Sequence, residues 1–405
     1  MFRLRRIRAL SAAALLLGVT ILGAGQAAAE PLGPAGPPPV SQPVIAAYYA
    51  GWNSATYPVA QIPADRITHL FYAFSTIKDG RCVVGGNAAA DFAALAALKR
   101  AHPHLRTEIS IGGWGAAGFS DAALTPASRR QFASSCLALF FDQYRGSFDG
   151  VDLDWEFPVY GGPTEITDRP EDRRNMTLLS QEFRRQLDRL GRQRDTHYLL
   201  TAALPAGRLQ TDGPYDPAVS FDLRALGRVL DFINLMTYDM GTGFSAVSTF
   251  NAPMREVADD PLGQPMRRWN NVTNAVQYYQ NHGVPADRLV LGVPFYGRGF
   301  HVVAEGPNHG LYQNYDATLW PGGWKDIKGL LNDPKWTLHW HTVAETPWLY
   351  NAAERQFISF ENPESIGIRA QHAKASGLLG TFMWELSDDD AQHSLLTAMS
   401  APFRR

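Results

Sequence analysis

The sequence predicts an α/β fold: a TIM (β/α)8 barrel with a small α+β insertion between strands seven and eight. Three observations carry that expectation. Eight short, nearly all-apolar segments alternate with helix-like ones, as a parallel sheet covered on both faces requires. The first is followed by Tyr-Ala-Gly-Trp-Asn-Ser, which is not the glycine-rich phosphate turn of an open doubly wound sheet. Closure into a barrel is therefore favoured. Finally, the stretch from Gly299 to about Ile366 is far longer than one covering helix and is rich in Trp, Tyr, His and Gly.

The strands are expected at 44–52, 67–74, 106–113, 148–158, 197–205, 229–239, 288–298 and 378–386. Helices are expected at 89–102, 125–144, 172–192, 221–226, 272–282, 367–376 and 391–399. Phe92, Leu95 and Leu98 mark the buried side of the first helix, and Met176, Leu179, Phe183 and Leu187 that of the long third one. Thr125-Pro126 supplies an N-cap and a first-turn proline.

Ahead of the barrel, residues 1–29 read as a secretory signal. Arg3, Arg5, Arg6 and Arg8 precede an apolar run, and Ala27-Ala28-Ala29 forms a small-residue cleavage site. A retained N-terminal span is the less favoured alternative. Residues 30–43, rich in Pro and Gly, read as a flexible leader, which leaves 44–405 for the barrel with 299–366 as its insertion. The expected address is extracellular, with no membrane partner once the signal is cleaved.

The chain has 405 residues, is 45% hydrophobic and carries a formal charge of −2. Losing the four signal arginines takes that charge to −6, which argues against a nucleic-acid partner. Cys82 and Cys136 are the two cysteines, too few for a metal site, and the sequence does not say whether they pair. No histidine cluster has metal-ligand spacing, so no metal and no cofactor are expected.

The chemistry concentrates in Phe148 to Pro158. Side chains alternate along a strand, placing Asp152, Asp154 and Glu156 on one face and Val151, Leu153 and Trp155 on the other. Three acids spaced about 6.6 Å apart on a buried strand are costly if all are ionised. They suit acid/base work or a divalent metal, and the strand alone leaves both open. The other strand ends add aromatic and polar side chains: Tyr48, Tyr72, Ser110, Trp114, Met236, Tyr238, Asp239, Arg298 and Trp384. For each aromatic singly, core packing is the simpler reading. Their recurrence at one end of different strands favours flat platforms for sugar rings.

Four segments carry a resemblance: Ser110-Ile-Gly-Gly113, Asp149-Gly-Val-Asp-Leu-Asp-Trp-Glu156, Met236-Thr-Tyr-Asp239 and Met383-Trp-Glu385. In order and in strand context they resemble the family 18 glycoside hydrolases, the chitinase family, from about Val44 to the C-terminus. The insertion, with Thr346-Pro-Trp-Leu-Tyr350 and Phe357-Ile-Ser359, is similar to that of the family's deep-cleft bacterial subgroup. The family's usual Tyr after the acid is Phe157 here, a change expected to be mild.

The resemblance implies a retaining, substrate-assisted hydrolysis of β-1,4 bonds between N-acetylglucosamine units, with the substrate's own acetamido oxygen as nucleophile. Glu156 is the implied general acid and then base. Asp154 holds the acetamido N–H, Asp152 shares a proton with Asp154, and Tyr238 orients the acetamido carbonyl. Charge coupling along the acidic row is expected to keep Glu156 protonated. Met236, Asp239 and Arg298 line the implied site, Trp384 floors the −1 sugar and Trp114 stacks a sugar on the leaving-group side. Tyr48, Tyr72 and Ser110 complete the expected substrate-binding set. The implied partners are chitin and chito-oligosaccharides, bound by a monomer. An endo-β-N-acetylglucosaminidase acting on N-glycans is the first alternative. A non-catalytic chitin-binding lectin is the second, disfavoured by the presence of Glu156.

Overall fold

The computed structural model describes residues 37, 38, 40, 43–208 and 215–404. The expected signal peptide lies outside the described residues, as does most of the expected leader.

Eight parallel strands close into a barrel: β1 (Val44–Ala50), β2 (His69–Lys78), then, after a short hairpin strand β3 (Arg81–Val83), β4 (Arg106–Gly112), β5 (Gly150–Asp154), β6 (Leu199–Pro205), β7 (Phe232–Met236), β8 (Leu289–Pro294) and the last strand (Gly380–Trp384). Each pairs with its neighbours in parallel, and the ring shuts where β1 pairs with both β2 and the last strand. Almost every strand residue is buried because helices cover the outside and side chains fill the inside. Outside, Met176, Leu179, Phe183 and Leu187 line the covered face of helix Asp172–Arg194 and are completely buried. Burial of this kind stabilises by about 1.5–3 kcal/mol per large apolar side chain.

Several boundaries differ from expectation, each for a local reason. β2 continues to Lys78 because Thr76 to Lys78 pair antiparallel with β3. The expected helix over 125–144 becomes two elements. Helix Pro126–Leu137, capped reciprocally by Thr125 and Ser128, gives way to a wider turn over Ala138–Gln143. The expected seventh strand divides at Pro294, beyond which Arg298 opens a different sheet. The acidic strand stops at Asp154, where its neighbour β4 also ends. Glu156 therefore stands past the strand end, above the barrel mouth.

Between β8 and the last barrel strand lies a second sheet: β9 (Arg298–Val302), β10 (Tyr315–Leu319), β11 (Thr337–His341), β12 (Thr346–Asn351) and β13 (Gln356–Ser359), with helix Trp324–Leu330. It is antiparallel, in the order β10-β9-β13-β12-β11. Phe300, Trp348, Tyr350 and Phe357 form its own small core, together with Phe250 from the loop after β7. The last barrel strand is therefore β14. A buried ion pair, Arg369 with Glu361 at 2.9 Å, joins the end of this sheet to helix Pro363–Ala375. Arg369 also reaches the Ala252 carbonyl and the Thr346 hydroxyl.

Cys82 on β3 and Cys136 in helix Pro126–Leu137 form a disulfide, which ties the β2–β3 hairpin to that helix.

Candidate active site

The mouth of the barrel is a cavity of about 700 Å³. Its floor follows from how β4 and β5 end. The Gly113 N–H donates to the Asp154 carbonyl at 2.9 Å. Gly112 has φ +121°, and a Cβ there would stand 2.0 Å from that same carbonyl oxygen. Only glycine permits this backbone and this approach, which is the physical content of Ser110-Ile-Gly-Gly113.

Asp152 is fully buried beneath the cavity. Its Oδ2 accepts from the Tyr48 hydroxyl at 2.8 Å and the Ser110 hydroxyl at 2.7 Å. Its Oδ1 accepts from the Thr201 hydroxyl at 2.7 Å and the Asn234 amide at 3.4 Å. Burial still raises its pKa, while those hydrogen bonds oppose the rise. Asp154, one strand step nearer the mouth, is also buried, and its Oδ1 has no hydrogen-bond partner among the described residues. Burial, then Glu156, then Asp152 push its carboxyl well above the usual range.

Glu156 borders the same cavity, with its pKa raised first by burial and then by Asp239. The expected coupling within the acidic row is present between Glu156 and Asp154, and burial and Asp239 add to it at Glu156. Because Glu156 stands past the end of β5, burial leads and a facing carboxylate from the β7 end adds to it.

Asp239 adopts φ +58°, a conformation aspartate tolerates, and its N–H donates to Asn251 Oδ1 at 2.8 Å. Its Oδ1 takes the Tyr296 hydroxyl at 2.7 Å and Arg298 Nη2 at 2.6 Å. Arg298, which lines the cavity, is thus already neutralised and is a poor clamp for a phosphate. Tyr238 borders the cavity, and burial drives its hydroxyl pKa well up, so it is a neutral donor.

The walls are rings. Trp384 lies near-parallel to Phe74 at 5.7 Å and touches Tyr48 at 5.4 Å. Trp52, Trp114 and Trp320 also line the cavity with 61%, 50% and 63% of their surface open. Trp320 comes from the second sheet region and stacks on Tyr296 at 5.5 Å. Met236 completes the lining on the β7 side.

Two expected substrate contacts fall elsewhere. Tyr72 points away from the barrel interior, where its hydroxyl donates to Asp91 at 2.7 Å and its ring meets Phe92 edge-on. The reason is parity: Phe71 and Ala73 face inward, so Tyr72 must face the helices. Ser110 sits below the cavity and serves Asp152. Sequence reasoning also passed over Phe244, Thr242 and Ala203 in the lining, and Thr201 and Asn234 beneath it. Thr201 and Asn234 were findable, since they share an inward face with Ala203 and Met236 on their strands.

Proton-handling carboxyls beside broad aromatic platforms, at the C-terminal mouth of a (β/α)8 barrel, are the equipment of a glycoside hydrolase. The comparisons agree. The chain belongs to glycosyl hydrolases family 18, whose model matches residues 44–389. It is similar to chitinase A1 of Niallia circulans, 35% identical over 404 residues, covering 85% of this chain and 56% of that relative. The chain thus spans little more than half of that relative's length. It is 31% identical to chitinase 1 of Aphanocladium album over 369 residues, covering 84% of this chain and 81% of the relative. Among solved structures, a family 18 N-acetylglucosaminidase from Paenibacillus barengoltzii superposes with a TM-score of 0.78 at 30% identity, covering 89% of this chain and 99% of that one. A chitinase from Bacillus thuringiensis does so with a TM-score of 0.79 at 31% identity, covering 89% and 70%.

Proposed function

We propose that this chain is a secreted chitinase, hydrolysing β-1,4 bonds between N-acetylglucosamine units with retention and with the substrate's acetamido group as nucleophile. One observation carries the reading. Asp154 presents a buried carboxyl oxygen with no partner among the described residues, beside a Glu156 that burial holds protonated, both at a cavity walled by rings. An acetamido N–H is a fitting partner for that oxygen, and a glycosidic oxygen a fitting acceptor for that proton.

The steps follow from the groups. Glu156 protonates the leaving oxygen as the acetamido carbonyl closes on the anomeric carbon from the opposite side. Asp154 takes the acetamido N–H and faces the positive charge that grows on the closing ring. The neutral Tyr238 hydroxyl donates to the acetamido carbonyl and fixes its approach. Asp152, held by its four donors, sets the charge behind Asp154. Glu156, now ionised, draws a proton from water, which opens the cyclic intermediate with net retention. Trp384 supplies the apolar platform under the reacting sugar, and Trp114 one on the leaving-group side. The conversion needs no cofactor, and one copy of the chain holds every group it uses. Relatives named as chitinases over most of this chain support the substrate class.

Glu156→Gln tests the proposal. Hydrolysis of chitohexaose should fall at least about a thousandfold, because the general acid is lost. Calorimetric affinity for the same oligosaccharide should stay within a few fold. Retained hydrolysis would sink the mechanism. Preferential cleavage of a high-mannose glycopeptide by the wild type would instead identify an endo-β-N-acetylglucosaminidase.

A further inference from the structure

Beneath the acidic row lies a fourth carboxyl that the mechanism does not use. Glu108 on β4 is fully buried inside the barrel, opposite Gly150 in register. The Thr201 oxygen stands between two carboxyls, 2.7 Å from Asp152 Oδ1 and 3.0 Å from Glu108 Oε2. A hydroxyl has one hydrogen to give. If both carboxyls were ionised, that hydrogen would be divided between two buried anions. Glu108 would then be left with half a hydrogen bond, because its Oε1 has no partner among the described residues. Burying such a charge without full hydrogen bonding is strongly unfavourable.

Nearby cations do not resolve the conflict. The charged groups facing Glu108 are Asp152 on β5, Asp149 just before it and Asp231 just before β7. Lys99 and Arg106 are taken by Asp149, at 2.8 and 3.8 Å, and Arg184 and His197 by Asp231, at 3.1 and 2.6 Å. Among the described residues Asp152 has four donors and Glu108 has the Thr201 oxygen alone, so the negative charge belongs on Asp152.

We propose that Glu108 is a positioning residue that stays protonated, donates to the Thr201 hydroxyl and thereby commits that hydroxyl's own hydrogen to Asp152. The chain Glu108–Thr201–Asp152 holds the lowest carboxylate of the reacting row ionised from below. Burial and the surrounding acids raise the Glu108 pKa well above the carboxylate range, as such a role needs. The consequence for catalysis rests on the reading of Asp152 given above; the proton on Glu108 does not.

Two measurements on the full chain test this. The wild-type minus Glu108→Gln infrared difference spectrum in D2O at pH 7 should contain a protonated-carboxyl C=O band, one component beside those of the other protonated carboxyls such as Glu156. Identical spectra would overturn the proposal, whatever the enzyme hydrolyses. In the second measurement, Thr201→Val takes a donor from Asp152, raises its pKa and should move the acidic limb of kcat/KM upward by about one pH unit, tenfold in rate on that limb. Glu108→Leu should move it the same way, with Thr201→Ser and Glu108→Gln restoring it. Superposable limbs for Thr201→Val, or for Glu108→Leu should the valine variant fail to fold, would overturn the positioning role. A wild type that hydrolyses no N-acetylglucosamine polymer would defeat the functional reading and leave the infrared result standing.

Discussion

A single side chain, Glu156, sets the alkaline limb of the pH profile. It must be protonated to act, and its pKa is raised by burial and by Asp239. Activity should therefore persist above the ordinary glutamate pKa of about 4.3 and fall only as pH rises through the elevated value. A kcat/KM profile whose alkaline limb sits near pH 4–5 would contradict this. Asp239→Asn removes the facing charge and should move the limb down. Much of the residue scale was legible in the sequence, since Asp152, Asp154, Glu156 and Tyr238 sit in local motifs. Tyr72 was misread because proximity to a strand end was weighed above the face it occupies. The alternation Phe71, Tyr72, Ala73 carries the correct answer once one inward residue is fixed. The link between Glu108 and Thr201 was not legible at all, because it depends on the register of three strands 93 residues apart in sequence at their ends.

At the scale of elements, the joint between β4 and β5 is the least forgiving part of the barrel. Gly112→Ala would drive a Cβ into the Asp154 carbonyl at φ +121°. The expected cost is about 3 kcal/mol or more, seen as a lower melting temperature. The variant should also lose kcat, since the backbone that must move carries Asp154. An unchanged melting temperature would show that the joint yields more easily than its geometry indicates. The second sheet was foreseeable as a long, aromatic-rich connection. Its strand order was not, because antiparallel pairing of β9 with both β10 and β13 follows from tertiary packing around Phe300 and Phe357. The same packing brings Trp320 back over Tyr296, a contact that spacing in the sequence could not indicate.

For the molecule as a whole, the Cys82–Cys136 bridge closes a span of 54 residues and joins two elements on one flank of the barrel. Loop-closure entropy assigns it about 4 kcal/mol. Replacing both cysteines with alanine should lower the melting temperature by roughly 5–10 °C while kcat/KM at 25 °C stays near wild type, because neither residue borders the cavity. An unaltered melting curve would mean that packing alone secures that flank.

Of ten tryptophans in the chain, Trp52, Trp114, Trp320 and Trp384 stand around one cavity, and the first three are at least half open to water. Intrinsic fluorescence is therefore a built-in gauge of occupancy. A bound oligosaccharide dries those indoles, so their emission should shift to shorter wavelength with each filled position. With Glu156→Gln halting turnover, stepwise longer oligosaccharides would report in light how many rings the cleft engages before the signal saturates.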